Sequence, residues 1–309
     1  MQTTTSSDRQ TPTQFYNWKN YRCAYEVWQP ENPSDNDGTP LLLIHPVGVG
    51  LSRKFWQRFC QQWYDSGRRN PIYNPDLLGC GDSDMPTVAY QPSDWAQQLQ
   101  YFIETVVKQP VILVVQGALF PVAISLVQLQ SNDTNWICGL ALSGPPAWAV
   151  MTRSASQWRQ RLAWNLFNSP LGNGFYRYAR SRKFLENFSV KELFEKSEDV
   201  DRQWLDMLVS GAQNPASRHA VFSFLSGFWR KDYGSAISQI VQPTLVLVGD
   251  CASSISQEGK SETPDRRVEE YLEHLPNGRG KKIPGRNVLP YESTSEFVEA
   301  IAPFVAEIQ

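Results

Sequence analysis

Six short apolar runs, separated by segments with helical character, constrain the fold of this 309-residue chain more than any other feature. Uninterrupted apolar runs are typical of strands that are buried on both faces of a parallel sheet. Their alternation with helical segments predicts an α/β fold with a doubly wound, mostly parallel sheet and right-handed crossovers. The predicted strands are 41–47, 71–76, 111–116, 136–144, 243–249 and 280–285.

The segments between these runs predict helices, one of which has a clear start. Thr263 can cap this helix, Pro264 suits its first position and Asp265 lies in its first turn. Residues 15–28 are aromatic and interrupted by polar residues, which is typical of an edge strand or hairpin. The predicted helices are approximately 52–66, 92–107, 119–130, 264–275 and 292–308.

The alternation stops between residues 146 and 235, which have an all-helical pattern. An insertion at this point would form a cap over the carboxyl ends of the strands. We therefore predict a core formed by 14–145 and 236–309 and a helical cap formed by 146–235. The Thr/Ser/Gln-rich residues 1–13 are predicted to be a disordered tail.

Composition limits the classes of function. A net charge of −2 argues against general nucleic-acid binding. The five cysteines are odd in number and lack metal-ligand spacing, which favours reduced thiols and predicts no metal or cofactor. No secretory signal is visible, and no apolar run approaches the roughly 20 residues that cross a bilayer. We expect a soluble, cytoplasmic protein, at most peripheral to a membrane.

Five segments resemble, in order, those that characterise the α/β-hydrolase superfamily. LLLIHPVGVG with Phe55–Trp56 is similar to the family's His-Gly loop and following helix, and NPDLLGCGDSDMP is similar to its Asp-x-x-Gly-x-Gly-x-Ser turn. VILVVQGALFPVAISL, PTLVLVG and IPGRNVLPYESTSEFVEAI are similar to the segments of the nucleophile, the acid and the base. The resemblance implies an α/β-hydrolase fold with an inserted helical cap. The residues of the turn motif are Asp76, Gly79, Gly81 and Ser83.

The resemblance also implies a place for the catalytic nucleophile. The Gly-x-Ser-x-Gly elbow of the family corresponds to residues 115–119, so Gly117 stands where the nucleophile belongs. A shift of one residue would place Ala118 there instead. Neither residue carries a nucleophilic side chain.

The positions implied for the acid and the base are altered as well. The acid position is Ala252, with Asp250 two residues early, and the base position is Val288, flanked by Asn287. No histidine follows His274. Because the three triad members act as a unit, this pattern predicts a pseudoenzyme with a degenerate catalytic triad.

Other reactive side chains could in principle replace the missing triad members. His45 lies in the His-Gly loop, which is usually structural in the family, while His219 lies in the cap and His274 near a helix end. A cysteine or serine at such positions is more often a small buried residue or an ordinary loop residue than a nucleophile. The alternative nucleophiles are Cys80, Cys251 and Ser143, and Asp76 and Asp82 could form a carboxylate pair.

One catalytic feature of the family does not need particular side chains. Its oxyanion hole uses backbone N–H groups, which correspond here to Val47 and Ala118 and could hold a carbonyl or carboxylate. Pro46 replaces the usual glycine of the loop and stiffens it. The residues expected to line a ligand pocket are His45, Pro46, Gln116, Gly117, Leu119, Ser143, Trp148 and Asn287.

The cap combines basic and aromatic residues, with eight Lys and Arg between Pro146 and Lys191 against the single acid Glu186. Such helices bind an anionic membrane surface or an acidic partner, although aromatic cap residues more often form a core with solvated arginines around it. The basic patch is predicted at Arg177, Arg180, Arg182 and Lys183.

Three functional hypotheses remain open. The first is a non-catalytic protein that binds an apolar or amphipathic small molecule or acts in a protein or membrane assembly. The second is an esterase-like or lipase-like hydrolase with a non-standard constellation, and the third is a purely structural assembly factor. VVQGALFPVAISLVQ and NPIYNPDLLGCGDSDMP also resemble α/β-hydrolase-like proteins of cyanobacteria and plastids. That resemblance implies thylakoid lipids, pigments or photosynthetic complexes as partners.

Overall fold

The computed structural model describes residues 11–30, 38–130 and 135–308, and the strands of these ranges form one sheet. The strands are β1 (Gln14–Trp18), β2 (Tyr21–Trp28), β3 (Leu41–Ile44), β4 (Ile72–Pro75), β5 (Val111–Gln116), β6 (Ile137–Ser143), β7 (Thr244–Gly249) and β8 (Gly278–Ile283). Their spatial order is β1-β2-β4-β3-β5-β6-β7-β8. β1, β2 and β4 pair antiparallel, and all other pairs are parallel. The predicted α/β fold is therefore confirmed, and the segment 15–28 is a hairpin.

The helices of the core flank this sheet. They are α1 (Gln57–Asp65), α2 (Pro92–Phe102), α3 (Phe120–Gln128), α11 (Pro264–His274), α12 (Leu289–Glu292) and α13 (Thr294–Glu307). The start of the helix at Pro264 is as predicted, because the Thr263 hydroxyl accepts a hydrogen bond from the Arg266 N–H at 3.2 Å.

Between β6 and β7 the described chain contains only helices and turns. The helices are α4 (Trp148–Met151), α5 (Gln157–Phe167), α6 (Pro170–Ala179), α7 (Arg182–Phe188), α8 (Arg202–Gly211), α9 (Arg218–Leu225) and α10 (Gly234–Ser238). Throughout the described ranges, no helix is both long enough and apolar enough to span a membrane. Most of the predicted tail, residues 1–10, lies outside the described residues, whereas the Thr13 hydroxyl accepts a hydrogen bond from Arg53.

The continuous apolar runs are explained by burial on both faces of the sheet. On β5, Leu113 and Val115 pack into one apolar cluster, while Ile112 and Val114 pack into a second cluster on the other face. Each face is covered by helices, so neither set of side chains meets water. This is the arrangement that a mostly parallel sheet requires.

The strand order also creates a crevice. β3 lies between β4 and β5, so the connections that leave β3 and β5 run in opposite directions at the carboxyl edge of the sheet. Doubly wound sheets bind ligands at such a switch point. In this chain the loop that follows His45 and the turn at Gly117 flank the switch point.

Candidate functional site

The turn after β5 has the conformation of an elbow but no side chain at its tip. Gly117 has a φ of +58°, in the left-handed region that favours glycine, and begins the 3₁₀ turn that leads into α3. A Cβ placed on Gly117 would meet no atom closer than the Gly144 carbonyl oxygen, at 4.0 Å. The turn therefore leaves open space where a nucleophile would project.

Three polar residues surround this turn. Gln116 and Ser143 are paired in register at the ends of β5 and β6, and both are buried. The Gln116 side-chain amide donates a hydrogen bond to the Asn287 carbonyl at 2.7 Å. The Gln116 Oε1 atom and the Ser143 hydroxyl have no hydrogen-bond partner among the described residues. Burying a polar atom without a partner costs about 1–3 kcal/mol, so these two atoms reduce the stability of the fold unless a polar group pairs with them.

Two backbone N–H groups lie at the positions that the resemblance assigns to an oxyanion hole, one on each side of the switch point. We find no acceptor within the described ranges for the N–H of Val47, which follows the half-buried Pro46. Ala118 lies at the start of the turn before α3, where an N–H has no partner within the helix. The two donors can therefore serve a ligand oxygen.

His45, in the predicted His-Gly loop, is buried and held by contacts within the fold. Its side chain is fully buried, its Nδ1 contacts the Pro46 carbonyl at 2.9 Å, and its Nε2 accepts a hydrogen bond from the Leu77 N–H at 3.0 Å. Burial lowers the pKa of His45, although Asp76 opposes this shift. Both ring nitrogens are thus occupied in the neutral form, and the ring joins the loops after β3 and β4.

The residues at the acid and base positions are buried in apolar surroundings. Ala252 packs into the first apolar cluster, and Val288 packs into the second. Asn287, rather than Val288, contacts Gln116, and its side-chain amide donates to the carbonyls of Glu192 and Ser253. Asn287 therefore joins the helical segment that contains Glu192 to the loop after β7, beside the elbow.

The two other histidines lie in different surroundings. The His274 ring stacks on Trp148, with a centroid distance of 4.2 Å, and its Nδ1 contacts the Glu270 carbonyl. The buried His219 places its Nε2 at 3.3 Å from the Thr87 hydroxyl, and its Nδ1 has no partner in the described part of the chain. Burial, followed by the neighbouring Arg218, lowers the pKa of His219.

The two alternative thiols lie in surroundings that raise their pKa values. Cys80 is buried, and burial, followed by Asp76, raises the pKa of its thiol. Cys251 is exposed, and desolvation, followed by Glu195, raises the pKa of its thiol as well. Asp76 and Asp82 do not form a free carboxylate pair, because both bind the guanidinium of Arg53.

The turn motif at 76–83 has the geometry that the sequence predicts. Gly79 and Gly81 have φ values of +89° and +57°, and a Cβ on Gly81 would collide with the Asp76 carboxylate. The Ser83 hydroxyl donates to the Asp76 carbonyl at 3.0 Å and accepts from the Ala24 N–H at 2.9 Å. These residues stabilise a turn.

One group of potential metal ligands is found among the described residues, and an arginine already occupies it. The side chains of Glu270, Glu273 and His274 lie close together on α11. Arg266 pairs with Glu270 at 2.6 Å and with Glu273 at 3.4 Å. The cluster is thus part of a surface ion-pair network.

Of the eight predicted pocket residues, His45 and Pro46 directly follow β3 and Leu119 is buried in the first apolar cluster, while the other five fall into two groups. Gln116, Gly117, Ser143 and Asn287 meet at the elbow, whereas Trp148 packs against Tyr271 and His274 of α11.

Two concavities of the described structure contain none of the predicted pocket residues. One, of about 640 Å³, lies on α5 between Ser156 and Asn165, and the other lies beside Arg68.

Sequence reasoning missed Gly144, which completes the elbow region. It follows β6 with a φ of +54°, and a Cβ there would lie 3.6 Å from the Asn287 carbonyl and 3.9 Å from the Gln116 amide. The Ser-Gly-Pro-Pro sequence at the end of this strand was the available signal.

The predicted basic patch is partly neutralised. Arg182 pairs with Asp206, and Arg180 donates to the Gln213 carbonyl. Arg177 and Lys183 are exposed and have no acidic partner among the residues described.

The chain is similar to known hydrolases over nearly its whole length. A family model described as the alpha/beta hydrolase family matches residues 41–301. A serine hydrolase involved in carbazole degradation has a TM-score of 0.72 at 17% identity, covering 96% of this chain and 100% of the other. A thermophilic esterase from Thermogutta terrifontis has a TM-score of 0.69 at 17% identity, covering 97% and 99%. An enol-lactonase from Burkholderia xenovorans LB400 has a TM-score of 0.70 at 12% identity, covering 95% and 100%.

Proposed function

Because the chain belongs to the alpha/beta hydrolase family, we propose that it is a non-catalytic member, which binds a small amphipathic molecule at the elbow and does not hydrolyse it. The observation that carries this proposal is Gly117, which has the elbow conformation with open space above it and no nucleophilic atom. Similarity to hydrolases at this level of identity gives the fold, and the function must be argued from the site.

Triad chemistry needs an attacking atom, a base that accepts its proton and a group that orients the base. In this chain Gly117 supplies no attacking atom, and the three histidines are accounted for by His45, His219 and His274. His45 uses both ring nitrogens within the fold, and His274 stacks on Trp148. A ligand at the elbow would therefore meet donors and acceptors but no proton carrier.

The polar groups of the elbow favour a ligand with a carbonyl or carboxyl end. The N–H groups of Val47 and Ala118 supply donors, while Gln116 Oε1 and the Ser143 hydroxyl supply an acceptor and a hydroxyl. Backbone donors that are held in place bind an oxygen without reorganisation.

The apolar part of the ligand has a surface close to these donors. Two residues after Val47, the side chain of Val49 packs against an aromatic cluster of the cap. Tyr176, Val221 and Phe222 form the buried part of that cluster. A ligand whose polar end lies at the elbow would thus extend an apolar tail beneath the cap.

We expect the purified protein to show no turnover of p-nitrophenyl esters above a heat-denatured sample and no labelling by a serine-reactive fluorophosphonate. The matched control is Gly117→Ser, which fits the open space but restores no base, so it should gain little labelling. Turnover or labelling of the wild type would contradict the proposal, and its loss or persistence in Cys80→Ala and Ser143→Ala would show whether one of these residues is responsible.

The hydrolase alternative rests on one observation, the Thr87 hydroxyl at 3.3 Å from His219 Nε2. No carboxylate orients that ring, since its Nδ1 has no partner among the described residues. The same assay separates the two functions. Turnover that is lost in both Thr87→Val and His219→Gln, but not in Gly117→Ser, would establish this pair as the reactive centre.

Protein purified from its own host should carry a bound amphipathic molecule that native mass spectrometry detects. In Gly117→Leu the added side chain would fill the open space, at a backbone cost of about 1–2 kcal/mol, and the molecule should be lost. A thermal unfolding curve verifies that this variant is folded. Repeated absence of a bound molecule from the wild type would favour a structural assembly factor.

A further inference from the structure

Helix α5 has two apolar faces, and only one of them packs against other residues that the structure describes. On the inner face, Trp164 and Phe167 pack against the cap cluster, and the Gln160 amide donates to the Gly227 carbonyl at 2.7 Å. On the outer face, Trp158, Leu162 and Leu166 follow one another at intervals of four residues. Their exposed fractions are 63%, 61% and 54%. Such an exposed apolar row marks an interaction surface.

The neighbouring helix α6 extends this surface. Its inward side buries Gly172, Tyr176 and Ala179, while Leu171 and Tyr178 are 73% and 64% exposed. The helices are joined by a short connection at Asn168–Ser169 and pack against each other. We call the outward apolar residues of the two helices the α5–α6 face. Its members are Trp158, Leu162, Leu166, Leu171, Phe175 and Tyr178.

The segment of the sequence that carries this face has charges of one sign. At 100° per residue, Arg159 and Arg161 lie on opposite sides of the apolar row of α5, and both are exposed. From Arg153 to Leu185 the sequence contains seven Lys and Arg and no Asp or Glu. Beyond the pairing of Arg182 with Asp206, none of these seven has an acidic partner in the described ranges. The surface therefore combines apolar side chains with flanking positive charge.

We propose that the α5–α6 face docks on an anionic lipid bilayer. A helix that places an apolar row in the interface between headgroups and acyl chains, with cations on either side, matches the geometry of interfacial amphipathic helices. The arginine stems can lie along the apolar boundary while their guanidinium groups reach lipid phosphates. An acidic protein would attract the same charges but gives no reason for the continuous row of exposed aromatic and leucine side chains. This inference does not depend on what the elbow binds.

The test is flotation of the full-length protein with vesicles of phosphatidylcholine, with or without one third phosphatidylglycerol. We expect binding only to the anionic vesicles, strong at about 10 mM salt and weak at about 1 M. Arg159→Gln with Arg161→Gln should lower the partition coefficient about 20–30-fold, since each cation near the surface contributes about fivefold. Trp158→Gln with Leu162→Gln should lower it more than tenfold.

Each control pair also replaces two apolar or two basic residues with glutamine, but at exposed positions outside the α5–α6 face. They are Val241→Gln with Ile255→Gln and Lys108→Gln with Lys281→Gln, and we expect each to bind as the wild type does. The proposal is overturned if the wild type fails to float at low salt, or if the control pairs reduce flotation equally. Binding to polyglutamate without binding to vesicles overturns it in favour of an acidic protein partner.

Discussion

Replacing Arg53 with methionine should lower the free energy of unfolding by about 3–5 kcal/mol, because it leaves buried carboxylates without their counter-ion. Arg53 is 1% exposed. Its guanidinium donates to Glu26 at 2.9 Å, to Asp82 at 2.8 Å and to the fully buried Asp76. Burial alone would lower the pKa of Arg53, but Asp76 and then Glu26 hold it above its ordinary value. The guanidinium therefore remains charged and compensates two charges that water cannot reach.

Urea unfolding measures the effect, and two further variants show its cause. Arg266→Met removes an arginine with three carboxylate partners on the exposed surface of α11, and its midpoint should scarcely change. Adding Glu26→Gln and Asp76→Asn to Arg53→Met should recover part of the loss, since the unpaired charges are then removed. A loss of less than about 1 kcal/mol for Arg53→Met would mean that water reaches these carboxylates.

This ion-pair group positions the site. Asp76 accepts hydrogen bonds from the N–H groups of Arg53 and Asp82, each at 2.8 Å, and lies 4.0 Å from His45 Nε2. It therefore joins the loop after β3, which carries Val47, to the turn after β4. Without these ion pairs the loop after β3 would be free to move, and with it Val47, which carries one of the two N–H donors that we propose for the ligand.

The sequence predicted the fold and the elbow because both depend on local patterns. Six apolar runs correspond to six strands, and the register of VVQGALF places Gly117 in the tight turn after β5. The start of α11 at Pro264 follows from a cap whose residues are adjacent in the chain. Where a feature requires only neighbouring residues, single-sequence reasoning suffices.

Features that depend on distant residues could not be predicted. Nothing in the sequence around Arg53 indicates that Glu26 and Asp76 surround it, since these residues come from three separate segments. For the same reason the sequence could not indicate that the Asn287 carbonyl accepts a hydrogen bond from the Gln116 side chain. The exposure of Trp158 and the burial of Tyr176 also depend on how the cap helices pack.

The second prediction also concerns a contact between residues that are distant in the sequence, here between the backbones of two glycines. Gly50, in the loop after β3, has a φ of +78°, and a Cβ on Gly211 at the end of α8 would lie 2.2 Å from its carbonyl oxygen. Gly211→Ala should therefore lower the free energy of unfolding by about 1–3 kcal/mol, because backbone atoms must move to admit one methyl group.

The control is Gly174→Ala on α6, where an added Cβ meets nothing within 4 Å. This change should raise the free energy of unfolding by about 0.5–1 kcal/mol, because alanine loses less entropy than glycine in a helix. The same substitution thus has opposite signs at two helical positions, and thermal unfolding of the two variants measures the difference. Equal effects would mean that α8 moves freely against the loop. Opposite effects would mean that the cap fixes the loop of Val47, so Gly211→Ala should also weaken retention of a ligand at the elbow.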